Sequence, residues 1–276
     1  MKRKKRKIYW LIGLAVLCCI GGTFAYWTQE LTFNNEFKTT RYDTTIEENF
    51  VSPDDWKPGQ EVNKDVWIAN KGTVPVFAKV VLHQEWVRQE DVRDQDGTLI
   101  LPAAGEAFPL SFDTGDGSAY AAQISWGEAV VLLSSGKKNS IDLGLDTVDQ
   151  IRDAQGKWLL VSDEPDENGD YLLYYIGTIA KEGTSPLLVD SVTMNPLIQP
   201  AVVQKNTYYD TSADKWITVP VKNSTYDYEC AKYTMLVTAT TVQATSDAVS
   251  EVFGTETDDK AVVDYLSSHA PDPSDF

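Results

Sequence analysis

The chain has 276 residues, with 24 Lys+Arg against 41 Asp+Glu and a formal net charge of −17. Such an acid excess repels phosphate backbones and anionic lipid, which argues against a nucleic-acid partner or an acidic membrane surface. Three cysteines in this length cannot build a disulfide framework, so the fold must rest on its own hydrophobic core.

Residues 1–25 read as an export leader. Six Lys/Arg run from Lys2 to Lys7, and an apolar stretch from Ile8 to Ile20 follows, too short to span a bilayer comfortably. Thr23-Phe24-Ala25 then offers a small-residue site, so cleavage is expected between Ala25 and Tyr26. The alternative is an uncleaved anchor, which differs from a signal mainly in length and flank. Neither Cys18 nor Cys19 follows the small residue that a lipidated cysteine wants. The leader holds six of the basic residues and none of the acids, so the mature chain keeps 18 Lys+Arg against 41 Asp+Glu, a formal charge of −23. It also keeps one cysteine, Cys230, whose neighbours Asp227 and Glu229 would raise a thiol pKa; a packed or idle cysteine is expected.

From Tyr26 to about Phe37 the chain has no Gly or Pro, and an extended strand would set Leu31, Phe33 and Phe37 on one face. Such a strand either pairs within its own sheet or, once freed by cleavage, adds to an exposed edge of another copy. Val62, Lys64, Val66 and Ile68 then alternate with Asp65, Trp67 and Ala69. Asn70-Lys71-Gly72-Thr73 supplies a turn into the run from Val74 to Val87. Residues 88–156 are rich in Gly, Asp and Ser and read as a long insertion. Beyond them, Trp158–Val161 and Tyr171–Gly177 flank Asp166-Glu167-Asn168-Gly169, where Asn-Gly favours a bend. Further strands are expected over Leu187–Met194, Trp216–Val221 and Lys232–Val242. Many strands at short spacing indicate an all-β sandwich, here covering residues 26–245. Residues 246–276 read as short helices and a tail, with one helix from Ser246 to Phe253 and another capped by Thr257.

Catalytic and metal signatures are sparse. The chain has two histidines, His83 and His269, and lacks both H-E-x-x-H and G-x-S-x-G. His83 sits in a strand-like run, where neighbouring side chains point to alternate faces rather than to one metal. Glu164–Gly169 imitates the first half of a calcium-binding loop, but the twelfth position is Tyr175 instead of a bidentate Glu. The Asp94–Gly97 stretch fails similarly, with Val92 first and Ala103 twelfth. Both are read as turns whose carboxylates face water. No cofactor or metal is expected.

The junction Gly21-Gly22-Thr23-Phe24-Ala25-Tyr26-Trp27, the phrase Trp56-Lys57-Pro58-Gly59-Gln60-Glu61-Val62-Asn63-Lys64-Asp65 and the Asn70–Thr73 turn resemble the TasA and camelysin family of exported matrix proteins. The likeness is nearest to BsaA-type members that depend on a SipW-like signal peptidase. Gly169–Tyr175, Ser185–Val192 and the last strand, ending Val242-Gln243-Ala244, are similar as well. The resemblance implies a jelly-roll sandwich, secreted by Gram-positive bacteria and assembled into extracellular fibres, with a donor strand from Tyr26 to about Phe37. Expected partners are other copies of the chain and, during export, the signal peptidase, with no nucleic acid and no membrane after processing. Camelysin-type relatives described as metalloproteases suggest one alternative, a secreted protease. A monomeric surface-binding module, using the insertion as its contact face, is another.

Overall fold

The computed structural model describes residues 28–29, 41–93, 97–133, 145–198, 202–222, 228–254 and 259–272. The leader with Ala25 and Tyr26, the donor-strand residues Leu31, Phe33 and Phe37, Asp94–Asp96 and the cap Thr257 lie outside them. Strands dominate: β1 (Thr28–Gln29), β2 (Thr44–Phe50), β3 (Glu61–Asn70), β4 (Val76–Arg88), β5 (Val92–Arg93), β6 (Leu99–Ile100), β7 (Ala107–Phe108), β8 (Ser111–Asp113), β9 (Ser118–Tyr120), β10 (Ala122–Trp126) and β11 (Val130–Leu132). After helix α1 (Leu145–Asp153) come β12 (Lys157–Leu160), β13 (Asp170–Ile176), β14 (Val189–Met194), β15 (Val202–Asp210), β16 (Lys215–Lys222) and β17 (Ala231–Gln243). Helices α2 (Ser246–Val252) and α3 (Lys260–Ser268) close the chain.

The larger sheet runs β1-β17-β4-β13-β12-β11, with β7 also on β4, and the smaller runs β10-β14-β3-β2. Every pairing is antiparallel except β11 with β12. This is the all-β sandwich expected from the alternating runs. Inward residues Val66, Ile68 and Val189 of the smaller sheet pack on Val80, Leu82, Trp158 and Leu173 of the larger one. Within residues 88–156, β10 joins the smaller sheet and β11 the larger.

The opposite face of the larger sheet is also buried. Phe77, Leu159, Tyr174, Ile176 and Val242 face Ile151 of α1, Val249 of α2 and Val262, Val263 and Leu266 of α3. Helix α2 begins at Thr245, whose side chain accepts from the Ala248 amide at 3.3 Å, satisfying one of the free donors of the first turn. Helix α3 begins after Asp259. Asp259 does not cap its own amides; Tyr174 donates its hydroxyl to Asp259 Oδ2, and Lys79 Nζ lies 3.3 Å from the same oxygen. That contact ties the helix to β4 and β13. Burial, then the Asp259 contact, pushes the Tyr174 hydroxyl far above its ordinary pKa.

The Asn70–Thr73 turn has a specific construction. Buried Asn70 donates its side-chain amide toward the carbonyls of Val74, Ile179 and Ala180 at 2.8, 3.1 and 3.1 Å, and its Oδ1 accepts from the Gly72 amide at 2.9 Å. A Cβ at Gly72 would stand 2.6 Å from the Arg41 carbonyl, so no larger residue fits there without backbone movement.

Candidate functional site: an open groove between the two sheets

The two sheets do not close evenly along one side. Strand β17 pairs with β4 over all thirteen of its residues, but among the described residues its other edge meets only β1, Thr28 opposite Val242 and Gln29 opposite Thr241. Strand β2 pairs with β3, and its outer edge has no strand partner among the described residues. At one end the sheets touch: Tyr42 donates to Thr241 Oγ1 at 2.6 Å, and the hydroxyls of Thr44 and Thr241 lie 2.7 Å apart. Burial pushes the Tyr42 hydroxyl up to about 12, although both threonine contacts pull the other way.

Toward Phe50 and Ala231 the sheets part, leaving a groove of about 810 Å³. The inward row of β17 records the change: Ala239 and Thr241 are buried, while Val237, Met235, Tyr233 and Ala231 are only half-covered. Trp86 of β4 forms the floor and is 1 % exposed. Its indole Nε1 is buried without a hydrogen-bond partner, unlike the indole of Trp158, which donates to the Pro186 carbonyl at 3.0 Å. Trp56 stacks on Trp86, with ring centroids 5.7 Å apart and planes 4° from parallel. Tyr228 and Tyr233 complete the aromatic lining, at 5.2 and 5.0 Å from Trp86. Burial raises the hydroxyls of both tyrosines, that of Tyr228 to about 12.

The Trp56–Asp65 phrase builds one wall. Pro58-Gly59 turns the chain, with the Gln60 amide donating to Lys57 O at 2.8 Å and Gly59 at φ 79°, the positive value a type II turn needs. The Gly59 amide reaches Met194 O at 2.8 Å, and the Trp56 indole donates to Gln60 O at 2.9 Å. The tryptophan is thereby held over the groove floor. Lys64 lies on the inward face of β3 with Val62 and Val66, as the alternation implies, and its Nζ reaches Glu48 and the Phe50 ring.

Of the Tyr26–Phe37 segment, the structure places only Thr28–Gln29, on the β17 edge of the same chain. Sequence reasoning missed the groove itself. Phe50, Trp56, Trp86 and Tyr233 come from four separate stretches, and only their tertiary meeting makes a site.

The other singled-out residues do not converge on it. His83 Nδ1 lies 2.6 Å from Asp170 Oδ1 across the β4–β13 ladder. His269 stacks on Tyr265 at the end of α3, its Nδ1 2.9 Å from the Tyr265 carbonyl. The Asp166 carboxylate does more than face water: it accepts from the Asn168 and Asp170 amides at 2.8 and 2.9 Å. Its modest burial would raise its pKa, and these amide contacts outweigh that and lower it. Cys230 is a free, exposed thiol at the groove rim.

Among known families, the one described as camelysin metallo-endopeptidase has a model that matches residues 6–99. No curated protein matches the chain. A metallo-endopeptidase implies a bound metal, and the described residues do not fit one: no three of their His, Cys, Asp or Glu side chains come together, and the two histidines sit apart, His83 against Asp170 alone and His269 against Tyr265. No helix among the described residues is long and apolar enough to cross a membrane. The matched span takes in the Trp56–Asp65 phrase that walls the groove and the Asn70–Thr73 turn, and over residues 6–99 the chain is similar to the camelysin family.

Proposed function

We propose that the chain is a secreted, non-enzymatic structural subunit of extracellular biofilm matrix fibres, of the BsaA type. A SipW-like signal peptidase cleaves it after Ala25, and the freed strand from Tyr26 to about Phe37 is donated to a neighbouring copy. The observation that carries this reading is the β17 edge: among the described residues only Thr28–Gln29 occupies it, opposite Val242 and Thr241 at the closed end, and the open aromatic groove lies farther along the same strand at Ala231–Met235. A single chain offers only its own edge, whereas two chains can exchange. A donated strand would pair its backbone along β17 and bring Leu31, Phe33 and Phe37 to the groove, each contributing about 1.5–3 kcal/mol when fully buried. Head-to-tail donation does not close on itself, so it produces filaments. The acid excess keeps unassembled subunits apart until screening or protonation eases packing.

Electron microscopy of the exported chain, with and without residues 26–37, tests the proposal. Filaments are expected from the first and lone particles from the second. Filaments that survive the deletion, or an intact chain that stays monomeric under all conditions, would overturn it. Stoichiometric zinc together with chelator-sensitive casein cleavage would point to a protease instead.

A further inference from the structure

Asp259 stands where an aspartate ordinarily accepts from the free amides of a helix's first turn, yet its side chain caps nothing in α3. The carboxylate is instead buried against the larger sheet, with 5 % of the side chain exposed. Oδ2 accepts from the Tyr174 hydroxyl and lies 3.3 Å from Lys79 Nζ, whereas Oδ1 is buried with no hydrogen-bond partner. A bare buried carboxylate oxygen is costly, and folded proteins keep few of them. The amine that faces this carboxylate is held in place as well. Lys79 Nζ lies 3.5 Å from the Phe253 carbonyl and 5.3 Å from the centre of the Tyr174 ring, and its side chain is 21 % exposed. The Tyr174 and Phe253 rings, both buried, meet at 5.7 Å beside the pair.

An amine and a carboxyl group fixed in one geometry need none of the concentration that a reaction between separate molecules requires. We infer that Lys79 and Asp259 condense into an intramolecular amide bond, an isopeptide that fastens α3 to β4. A proton passes from the Lys79 ammonium to Oδ1, leaving an amine and a carboxylic acid. The nitrogen lone pair then forms the Nζ–Cγ bond, and the carbonyl pair moves onto Oδ2, where the Tyr174 hydroxyl stabilises the charge. A second proton passes from Nζ to the Oδ1 hydroxyl, the Cγ–Oδ1 bond breaks, and water leaves. One ammonium and one carboxylate thus give one amide and one water. The oxygen expelled is the bare one, and the oxygen retained keeps its tyrosine donor. The bond closes residues 79–259 into a loop and so restricts the unfolded chain. It uses no groove residue and stands apart from strand donation.

Intact-mass spectrometry of the purified chain, taken against the N-terminus it carries, tests the inference. The mass is expected to lie one water below that of the sequence. A tryptic digest should hold a branched peptide joining the Lys79 and Asp259 segments, uncut after Lys79. Lys79→Arg keeps the charge and should restore the full mass in a chain that circular dichroism shows to be folded. Asp259→Asn should lose ammonia in place of water, because the side-chain amide nitrogen is then the leaving group; an ion pair gives neither loss. Tyr174→Phe keeps the ring against Phe253 and should leave most of the chain unbridged, since removing one donor to a developing oxyanion costs roughly a hundredfold in rate. A wild-type chain of full mass without the branched peptide, a water loss mapped to another pair of residues, or a loss that persists in Lys79→Arg would overturn it.

Discussion

Lys64 Nζ lies 2.5 Å from Glu48 Oε2 and 4.3 Å from the centre of the Phe50 ring, so an ammonium group is held against the groove wall by two residues of the neighbouring edge strand. The Lys64 side chain is 10 % exposed and that of Glu48 is 52 %. Most of the desolvation therefore falls on the lysine.

Lys64→Met should change this balance in a defined direction. Replacing a buried charge with an apolar side chain of similar length is often neutral or stabilising, and Glu48 regains water when its partner goes. Urea denaturation is expected to show a chain at least as stable as the wild type, by up to about 1 kcal/mol. An inward-pointing charge also discourages unplanned strand pairing, so light scattering should rise for this variant at equal concentration. A loss of stability beyond about 3 kcal/mol would show that the pair itself holds the wall together.

The two most buried tryptophans should respond differently to the same substitution. Trp158→Phe removes the indole donor from the Pro186 carbonyl, whereas Trp86→Phe removes a donor that has no partner. The first should therefore cost about 1 kcal/mol more than the second, the usual net worth of one hydrogen bond. Equal losses in paired denaturation curves would contradict the difference between the two sites.

Asn70→Ala should be among the costliest single changes to a polar residue. It strips three carbonyls and one amide of their partner at a residue that is 1 % exposed. A loss of about 2–3 kcal/mol is expected, since the groups left behind remain buried. Asn70→Asp should not rescue it, because a carboxylate cannot donate to carbonyl oxygens.

Alkali should loosen the closed end of the sandwich. The folded chain holds the Tyr42 hydroxyl at about 12 against an ordinary value of 10.0, so folding favours its protonated form. The stabilisation it contributes is whole below about pH 10 and disappears as the pH rises through about 12. Tyr42→Phe should cost about 1 kcal/mol at neutral pH through the lost bond to Thr241. Its urea midpoint should also decline less steeply between pH 10 and 12. A parallel decline in wild type and variant would place the titration elsewhere.

Legibility in the sequence followed the strength of local patterning. Strands β3 and β17 announce themselves by alternation of apolar and polar residues, and β4 and β13, buried on both faces, by long β-branched and aromatic runs. The bend at Gly169 was legible too, and the residue sits at φ 87°. Strands β2 and β15, TTIEENF and VVQKNTYYD, carry no such alternation, being an edge strand and half of a free ribbon. Among the described side chains of helix α1, one aliphatic residue, Ile151, is fully buried. The groove was invisible for a different reason. Its aromatic residues are distant along the chain, and the feature that makes them a site is the uneven closing of two sheets, which no local window encodes.

That uneven closing has a directional consequence. Hydroxyl groups of Tyr42, Thr44 and Thr241 seal one end while the other stays wide, so the two ends of an extended guest would meet unlike surroundings. A polymer threaded through such wedges would have dissimilar tips, and labelled subunits would lengthen one of them faster than the other.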